Sequence, residues 1–483
     1  MTRSTHEWSS YQREIFRDIS KGEGHTLVIA RAGSAKTSSL VEGSRYIPKG
    51  KSSLFCAFNK SIQLELKDKL GSYVECFTLH SLGYKGIKQR FGNVQLDYDK
   101  SWKIISSFID DREKDLIFNI DKAVDLCKAT LTDTPIKIEE LIEKYDIDIG
   151  ETSMSEFISY VSKTLRMCKE DTKTIDFNDM IWFPFVYRIN VGSYDFVFVD
   201  EAHDLCKSQI ELALSACKSN GRVIAVIDPK QAIYSWRGAD AEVLTNLKSR
   251  LLPKELHLPI CYRCPKKVVY LAQKIVPDIQ SYVNSIDGEI IDLHISELQK
   301  YAKPGSYVIS RLNAPLIRNC LQFLKVNIPS NILGRDIGQN LSNIIKRSKK
   351  KNVKSFLTWL DKWEQDEIAI FTAKYPKANT DVISDKADCL RMLSEDANTI
   401  NDLNGNIDNL FKDNVEKNIV LHSSIHRIKG KECHDVFVLT DTLRFSSEEE
   451  LNLQYVAFTR AKSRLFLVYK EKPFSQDYYN CYS

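Results

Sequence analysis

The sequence predicts an α/β protein built from two parallel-sheet domains, each interrupted by a helical insertion. Three observations predict this. A chain of 483 residues is too long for a single hydrophobic core and implies roughly two to four domains of ordinary size. Short apolar runs recur along it, each followed by a polar turn and a helical pattern, as in a sheet covered on both faces. Those runs fall into two sets, with a crossing near residue 250.

The first set reads "HTLVIA" (25–30), "SSLFCAF" (52–58), "YDFVFVD" (194–200) and "GRVIAVID" (221–228). The second reads "GSYVIS" (305–310), "VFVL" (436–439) and "RLFLVY" (464–469). Between them, residues 85–180 lack strand-like runs and carry helical periodicity ("SWKIISSFIDDREKDLIF", "IEELIEKY"). So do residues 341–419, rich in Lys, Asp and Asn. The expected division is therefore 1–84 with 176–250 for the first sheet domain and 85–175 for its insertion. The second sheet domain is expected at 251–340 with 420–483, and its smaller insertion at 341–419. The basic run "KRSKKKNVK" (346–354) is either a solvated face or a nucleic-acid contact.

Composition narrows the class. Hydrophobic residues at 43% and charged residues at 27% describe a soluble globular chain, and no run approaches the length of a membrane span. "MTRSTHEWSS" has no apolar signal core, so the expected location is intracellular, cytoplasmic (nucleoid) or nuclear. The 12 cysteines show no disulfide rhythm and are expected to stay reduced. The one C-x-x-C, Cys261 to Cys264, has no second pair at zinc spacing. With 68 basic against 64 acidic residues and a net charge of +4, a polyanion would be held by local basic patches, not by the global field.

Residues 30–37 read "ARAGSAKT" after the apolar run "TLVI". A phosphate loop is a strand end, a turn whose backbone N–H groups converge on phosphate oxygens, and a helix N-terminus. Lys36 is placed to reach the β and γ phosphates and the Thr37 hydroxyl to ligate Mg²⁺. Gly33 serves the tightest part of the turn, while Ala30 and Ala35 stand where the general pattern has glycines. Far away in sequence, "YDFVFVDEAHD" sets Asp200 and Glu201 at the end of an apolar strand. A carboxylate pair there is costly without a cation; it can hold the metal and activate an attacking water. Together the two elements point to an NTPase.

These residues resemble the UvrD/Rep-like superfamily 1 helicases, and the likeness runs in order over nearly the whole chain. "YQREIF" (11–16) resembles the adenine-reading Q motif, with Gln12 carried over. "FCAFNKSIQLEL" (55–66) and "TLHSLGY" (78–84) are similar to motifs Ia and Ib. "DFNDMI" (176–181) is similar to the stretch before motif II. "VIDPKQAIYSWRGAD" (226–240) resembles motif III, "LPICYRCP" (258–265) motif IV, "SSIHRIKGKE" (423–432) motif V and "QYVAFTRAKSRL" (454–465) motif VI. The resemblance implies two RecA-like domains with ATP and Mg²⁺ between them, closing as ATP binds. It implies that Ala32, Gly33, Ser34, Ala35, Lys36, Thr37 and Ser38 wrap the phosphates, that Tyr262 stacks on adenine and that Glu432 binds the ribose. Gln231 would sense the γ-phosphate, and Arg263 and Arg460 would act as arginine fingers.

The resemblance also implies a track for single-stranded DNA. Phe58, Tyr234 and Trp236 are the expected base-stacking aromatics, with Arg237 following in the same loop. Asn59, Lys60, Thr78, His80, His426 and Lys429 are the expected backbone contacts. Binding to single-stranded DNA or single/double-strand junctions would then be sequence-independent and salt-sensitive. Movement would be 3′ to 5′, with a protein partner in a repair or defence complex and no membrane. Arg31 and Ala35 depart from the family's glycines, Ile227 from a glycine, and His203 from a glutamine. Two other readings stay open: a nucleotide-switched DNA-binding regulatory subunit, and an RNA-directed motor.

Overall fold

The computed structural model describes residues 7–110, 113–145, 147–233, 243–374, 380–412 and 418–471. The chain divides into two compact units between Pro259 and Ile260.

Unit 1 is organised by a six-stranded sheet. Its strands are β1 (Thr26–Ala30), β2 (Ser53–Ala57), β3 (Val74–Thr78), β4 (Tyr194–Val199), β5 (Cys217–Ile227) and β6 (Lys254–Leu258). The spatial order is β3-β2-β4-β5-β1-β6, parallel throughout. Strands β1, β2, β4 and β5 coincide with the four apolar runs of the first set. Alternate residues serve opposite faces: Val28, Phe55, Phe198 and Ile224 pack on one side, Leu27, Leu54, Val197 and Val223 on the other. The register pairs Ile29 with Ile227 and Val199 with Ala225. Strands β1, β4 and β5 therefore end along the same sheet edge. The edge strand β6 lies beyond the crossing expected near residue 250.

The first insertion is helical, with Lys100–Ser106, Lys114–Thr130, Pro135–Lys144 and Met154–Glu170 sharing one apolar core. The expectation of no strand between 85 and 180 needs one correction. Gln95–Leu96 pairs in parallel with Thr174–Ile175, a two-residue clasp too short to leave a periodic signature. The insertion is also tied to the "DFNDMI" segment by buried charge. Lys128, fully buried, contacts Asp176 and lies 2.9 Å from Asp179, and Lys100 Nζ lies 2.8 Å from the other Asp179 oxygen. Burial works against the Lys128 ammonium, but the Asp179 and Asp176 carboxylates hold its pKa above the ordinary lysine range. Helix Leu79–Phe91 packs closely on helix Asp179–Val186 at Gly83, where a Cβ would come within 1.8 Å of the Met180 carbonyl oxygen.

Unit 2 carries a seven-stranded sheet. Its strands are β7 (Glu289–His294), β8 (Tyr307–Ser310), β9 (Ser330–Leu333), β10 (Phe411–Lys412), β11 (Val420–Ser424), β12 (Cys433–Leu439) and β13 (Ala461–Tyr469). They lie in the order β7-β13-β12-β8-β11-β9-β10, again all parallel. Its insertion consists of helices Arg335–Ser348, Val353–Lys374, Asp381–Ser394 and Ile400–Leu410. It ends in β10, a short strand that the helical reading of 341–419 did not anticipate. These helices share a core with Ile317, Cys320 and Ile332 of the sheet domain. Asp385 adds a polar tie, accepting the backbone N–H groups of Asn313 at 3.0 Å and Ala314 at 2.8 Å. Among the described residues, no helix is long and apolar enough to cross a membrane.

Candidate nucleotide and nucleic-acid site

The loop after β1 turns sharply. Arg31 N–H donates to the Leu258 carbonyl at 3.0 Å, Gly33 sits at φ 68°, and helix Lys36–Ser44 begins at once. Ala35, its N-cap, adopts the left-handed conformation at φ 59°, ψ 41°. A residue with a Cβ is strained there by about 1–2 kcal/mol, which is the physical reason glycine suits this position. The Ala35 carbonyl accepts both the Ser39 N–H at 2.9 Å and the Ser39 hydroxyl at 2.8 Å. Gln12, fully buried, reaches this helix from the other side: its Nε2 donates to Ser39 Oγ at 2.9 Å while its Oε1 accepts the Ser9 N–H at 3.0 Å. Ser34 Oγ is buried without a hydrogen-bond partner among the described residues. With the unpaired N–H groups of a helix's first turn, it fits a phosphate oxygen. Ala32 lines the turn with no exposure, and Ser38 follows Thr37 in the helix.

The sheet edge brings the distant motifs to this loop. Thr37 Oγ1 donates to Asp200 Oδ2 in a short contact, and Lys36 Nζ lies 3.2 Å from Glu201 Oε2. Asp228, at the end of β5, is fully buried; it accepts Gln231 Nε2 at 2.7 Å and lies 3.8 Å from Arg31 Nη1. Burial, then the Glu201 charge, push the Asp200 carboxyl up to about 6, against the Thr37 hydrogen bond and Lys36. Burial also disfavours the Lys36 ammonium, but Glu201, Asp228 and Asp200 together keep its pKa above the usual value. A hydroxyl and a crowded carboxylate are hard oxygen donors of the kind Mg²⁺ takes. The donor set therefore fits the implied metal.

His203 is the residue whose part the sequence left unread beyond its departure from glutamine. It is buried, and its Nδ1 accepts the Asp228 backbone N–H at 3.2 Å. In the neutral ring the hydrogen then sits on Nε2, which lies 3.4 Å from Glu201 Oε2. His203 thus bridges the segment after β4 to the end of β5. Glu201 itself holds a left-handed backbone at φ 51°. A separate cavity of about 930 Å³ in unit 1, lined by Trp182, Phe185 and Arg188, contains none of these residues.

In unit 2, Arg263, Arg460 and Glu432 form a second cluster. Arg263 Nε pairs with Glu432 at short range, and its Nη1 reaches the Thr459 carbonyl at 3.4 Å. Arg460, only 1% exposed, spends its guanidinium on the Val456 carbonyl at 2.8 Å, the Thr459 hydroxyl at 3.2 Å and the Lys431 carbonyl at 3.3 Å. Burial, and next the Arg263 charge, bring the Arg460 pKa down to about 10. Tyr262 packs on Tyr282, ring centroids 5.0 Å apart.

Of the expected nucleic-acid residues, Phe58 is exposed at 43% at the end of β2. Asn59 caps helix Lys60–Lys67 by accepting the Ile62 N–H at 2.9 Å, and Lys60 reaches Gln63 at 3.2 Å. Thr78 caps the next helix through the Ser81 N–H at 3.1 Å. His80 stacks on Phe177, centroids 3.9 Å apart and planes at 17°. Burial pulls the His80 imidazole down to about 4, so the ring is held neutral. Phe177, 47% exposed in "DFNDMI", is an aromatic that the sequence reading passed over. His426 stands in the short helix Ile425–Ile428 after β11, and Lys429 caps it. Tyr234, Trp236 and Arg237 lie outside the described residues.

The sequence matches the UvrD/REP helicase N-terminal domain family over residues 11–251 and the UvrD-like helicase C-terminal domain family over residues 420–468. It is similar to the F-box DNA helicase protein 1 of Schizosaccharomyces pombe, at 24% identity over 91% of this chain and 55% of that protein. The F-box DNA helicase 1 of Gallus gallus shares 22% identity over 96% of this chain and 49% of its own. A probable DNA helicase II homolog of Mycoplasma capricolum shares 24% over 59% of this chain and 44% of its own. The chain spans about half the length of these relatives.

Proposed function

Since the chain belongs to the UvrD/REP helicase family, we propose that it is an ATP-dependent DNA helicase and translocase. It moves 3′ to 5′ on single-stranded DNA and serves repair, recombination, replication or defence. The observation that carries the reading is the meeting of Lys36 and Thr37 with Asp200, Glu201 and Asp228 at one sheet edge. Lys36 draws the β and γ phosphates and offsets the charge they gather during transfer. Thr37 and Asp200 would hold Mg²⁺, which supplies further charge neutralisation on the phosphate oxygens. Glu201, oriented by Lys36 and His203, takes the proton of the attacking water. Gln231, held by Asp228, senses the γ-phosphate.

Arg263 and Arg460 are the proposed guanidinium donors to the triphosphate, and Tyr262 and Glu432 the adenine and ribose contacts. Gln12 supports the same pocket from behind, through Ser39. The exposed Phe58 and the Phe177–His80 stack supply π faces for bases, which favours single strands without sequence preference. The direction of movement rests on family resemblance alone.

The test is ATP hydrolysis with and without single-stranded DNA, run beside Lys36→Ala and Glu201→Gln. Hydrolysis stimulated by DNA and abolished by both changes supports the motor. Tight binding of ATP and DNA without turnover refutes it in favour of a nucleotide-switched binding subunit.

A further inference from the structure

The single C-x-x-C of the chain flanks Arg263, and its two thiols are poised to react with each other. Cys261 ends the short strand Ile260–Cys261, Cys264 directly precedes the N-cap of helix Lys266–Ala272, and both are buried. The Cys264 backbone N–H donates to Cys261 Sγ at 3.4 Å, so the two cysteines face each other across one tight turn. Cys264 Sγ also donates to the Thr459 carbonyl at 3.5 Å, the same oxygen that Arg263 Nη1 reaches at 3.4 Å. A zinc ion would need further ligands, and among the described residues no group of three or more His, Cys, Asp or Glu gathers to hold a metal. Two facing thiols three residues apart are instead the geometry of a reversible disulfide.

We propose that Cys261 and Cys264 form a redox modification site, in which hydrogen peroxide closes a disulfide that draws Arg263 away from its partners and slows ATP hydrolysis. The Cys261 sulfur attacks one peroxide oxygen, the O–O bond breaks, and hydroxide leaves and takes up the thiol proton, giving a sulfenic acid and water. The Cys264 sulfur then attacks the Cys261 sulfur, the S–O bond breaks, and the oxygen departs as water with the Cys264 proton. Two thiols lose two electrons, and one peroxide becomes two waters.

The environment assigns the order of attack. The facing Cys264 side chain, the backbone N–H groups of Cys264 and Arg263 and the nearby guanidinium together bring the Cys261 pKa to about 7 in spite of burial. The facing sulfur and burial hold Cys264 well above the ordinary range, so it is the resolving thiol. Burial of both sulfurs selects a small oxidant such as hydrogen peroxide over bulky disulfides. Closing the bond draws the sulfurs to about 2.05 Å. It removes the S–H donor to Thr459 and contracts the turn that carries Arg263, drawing its guanidinium off Glu432 and the Thr459 carbonyl. The site stands on its own geometry; only its effect on hydrolysis rests on the proposed role of Arg263.

The experiment treats the reduced full chain with hydrogen peroxide, maps peptides without reduction, and assays ATP hydrolysis on the same samples. A 261–264 link, a fall in hydrolysis of about tenfold and recovery of both on reduction with a dithiol are the expected result. Cys261→Ser and Cys264→Ser should each hydrolyse ATP at the wild-type rate when reduced and form no such link, and Cys261→Ser should resist peroxide. In Cys264→Ser, a dimedone-type probe should capture the sulfenic acid at Cys261. No 261–264 link at peroxide levels that already oxidise the partly exposed Cys217 overturns the proposal, as does a link that leaves hydrolysis unchanged. Absence of hydrolysis in the reduced chain would refute the motor reading instead, and the peptide map would still decide the site.

Discussion

Ala35→Gly is the substitution whose consequence can be worked most directly from the structure. Ala35 sits at φ 59°, ψ 41° because the phosphate loop must turn into helix Lys36–Ser44 within one residue, with its carbonyl engaged by Ser39. The left-handed backbone penalises a Cβ by about 1–2 kcal/mol. Glycine removes that strain but gives the unfolded chain more freedom, which returns about 0.4–1 kcal/mol. The net expectation is about 0.5–1 kcal/mol in favour of Gly, or a rise in Tm of roughly 1–3 °C for a unit of this size. Calorimetry of the nucleotide-free chain measures it, with Ala35→Val as the opposite control. A β-branched residue at positive φ is a genuine outlier and should lower Tm. If the loop keeps this conformation when ATP binds, the strain is relieved equally in both states and the Kd for ATP stays level. A lower Tm for Ala35→Gly would refute the claim that position 35 is strained.

Three further changes probe other parts of the molecule. His203→Ala should lower kcat by about tenfold or more by freeing Glu201, with His203→Gln restoring part of it; equal kcat in all three would show that the ring orients nothing. Phe177→Ala should weaken single-stranded DNA binding by about 1–3 kcal/mol, while Phe177→Tyr retains it, as read by fluorescence anisotropy at fixed salt; unchanged affinity removes Phe177 from the track. Burial and the Asp121 charge push the Asp125 carboxyl up to about 7, although it accepts Asn178 Nδ2 at 2.6 Å. Because the folded state holds that proton more tightly than the unfolded chain, the group's contribution to stability is full below about pH 4 and is lost as pH rises through about 7. Asp125→Asn, neutral at every pH, should therefore gain Tm over the wild type between pH 5.5 and 8; a constant difference would show that Asp125 does not titrate in that window.

Much of the fold was legible because central parallel strands are buried on both faces and so read as continuous apolar runs, as "TLVIA" and "FVFV" do. The strands that escaped notice have mixed patterns. β6 reads "KELHL", charged and exposed at Lys254, Glu255 and His257, because it forms a sheet edge, and β3 is broken by the exposed Glu75. β11 reads "VLHSS", with His422, Ser423 and Ser424 buried as polar residues inside the sheet, which no hydropathy pattern announces. Phe177 was missed for a similar reason: an aromatic beside apolar residues reads as core until the backbone turns it outward onto His80.

By itself, the sequence determined the chemical inventory: a lysine and a hydroxyl at a helix start, an acidic pair at a strand end and arginines in later motifs. Those are properties of residue type and local spacing. Tertiary structure alone decided which groups touch. Thr37 meets Asp200 across 163 positions of chain, and His203 comes to lie between Glu201 and the Asp228 backbone. The reason is geometric. Crossover connections run every strand of the sheet in the same direction, so the ends of β1, β4 and β5 share one edge and deliver their loops to the same point.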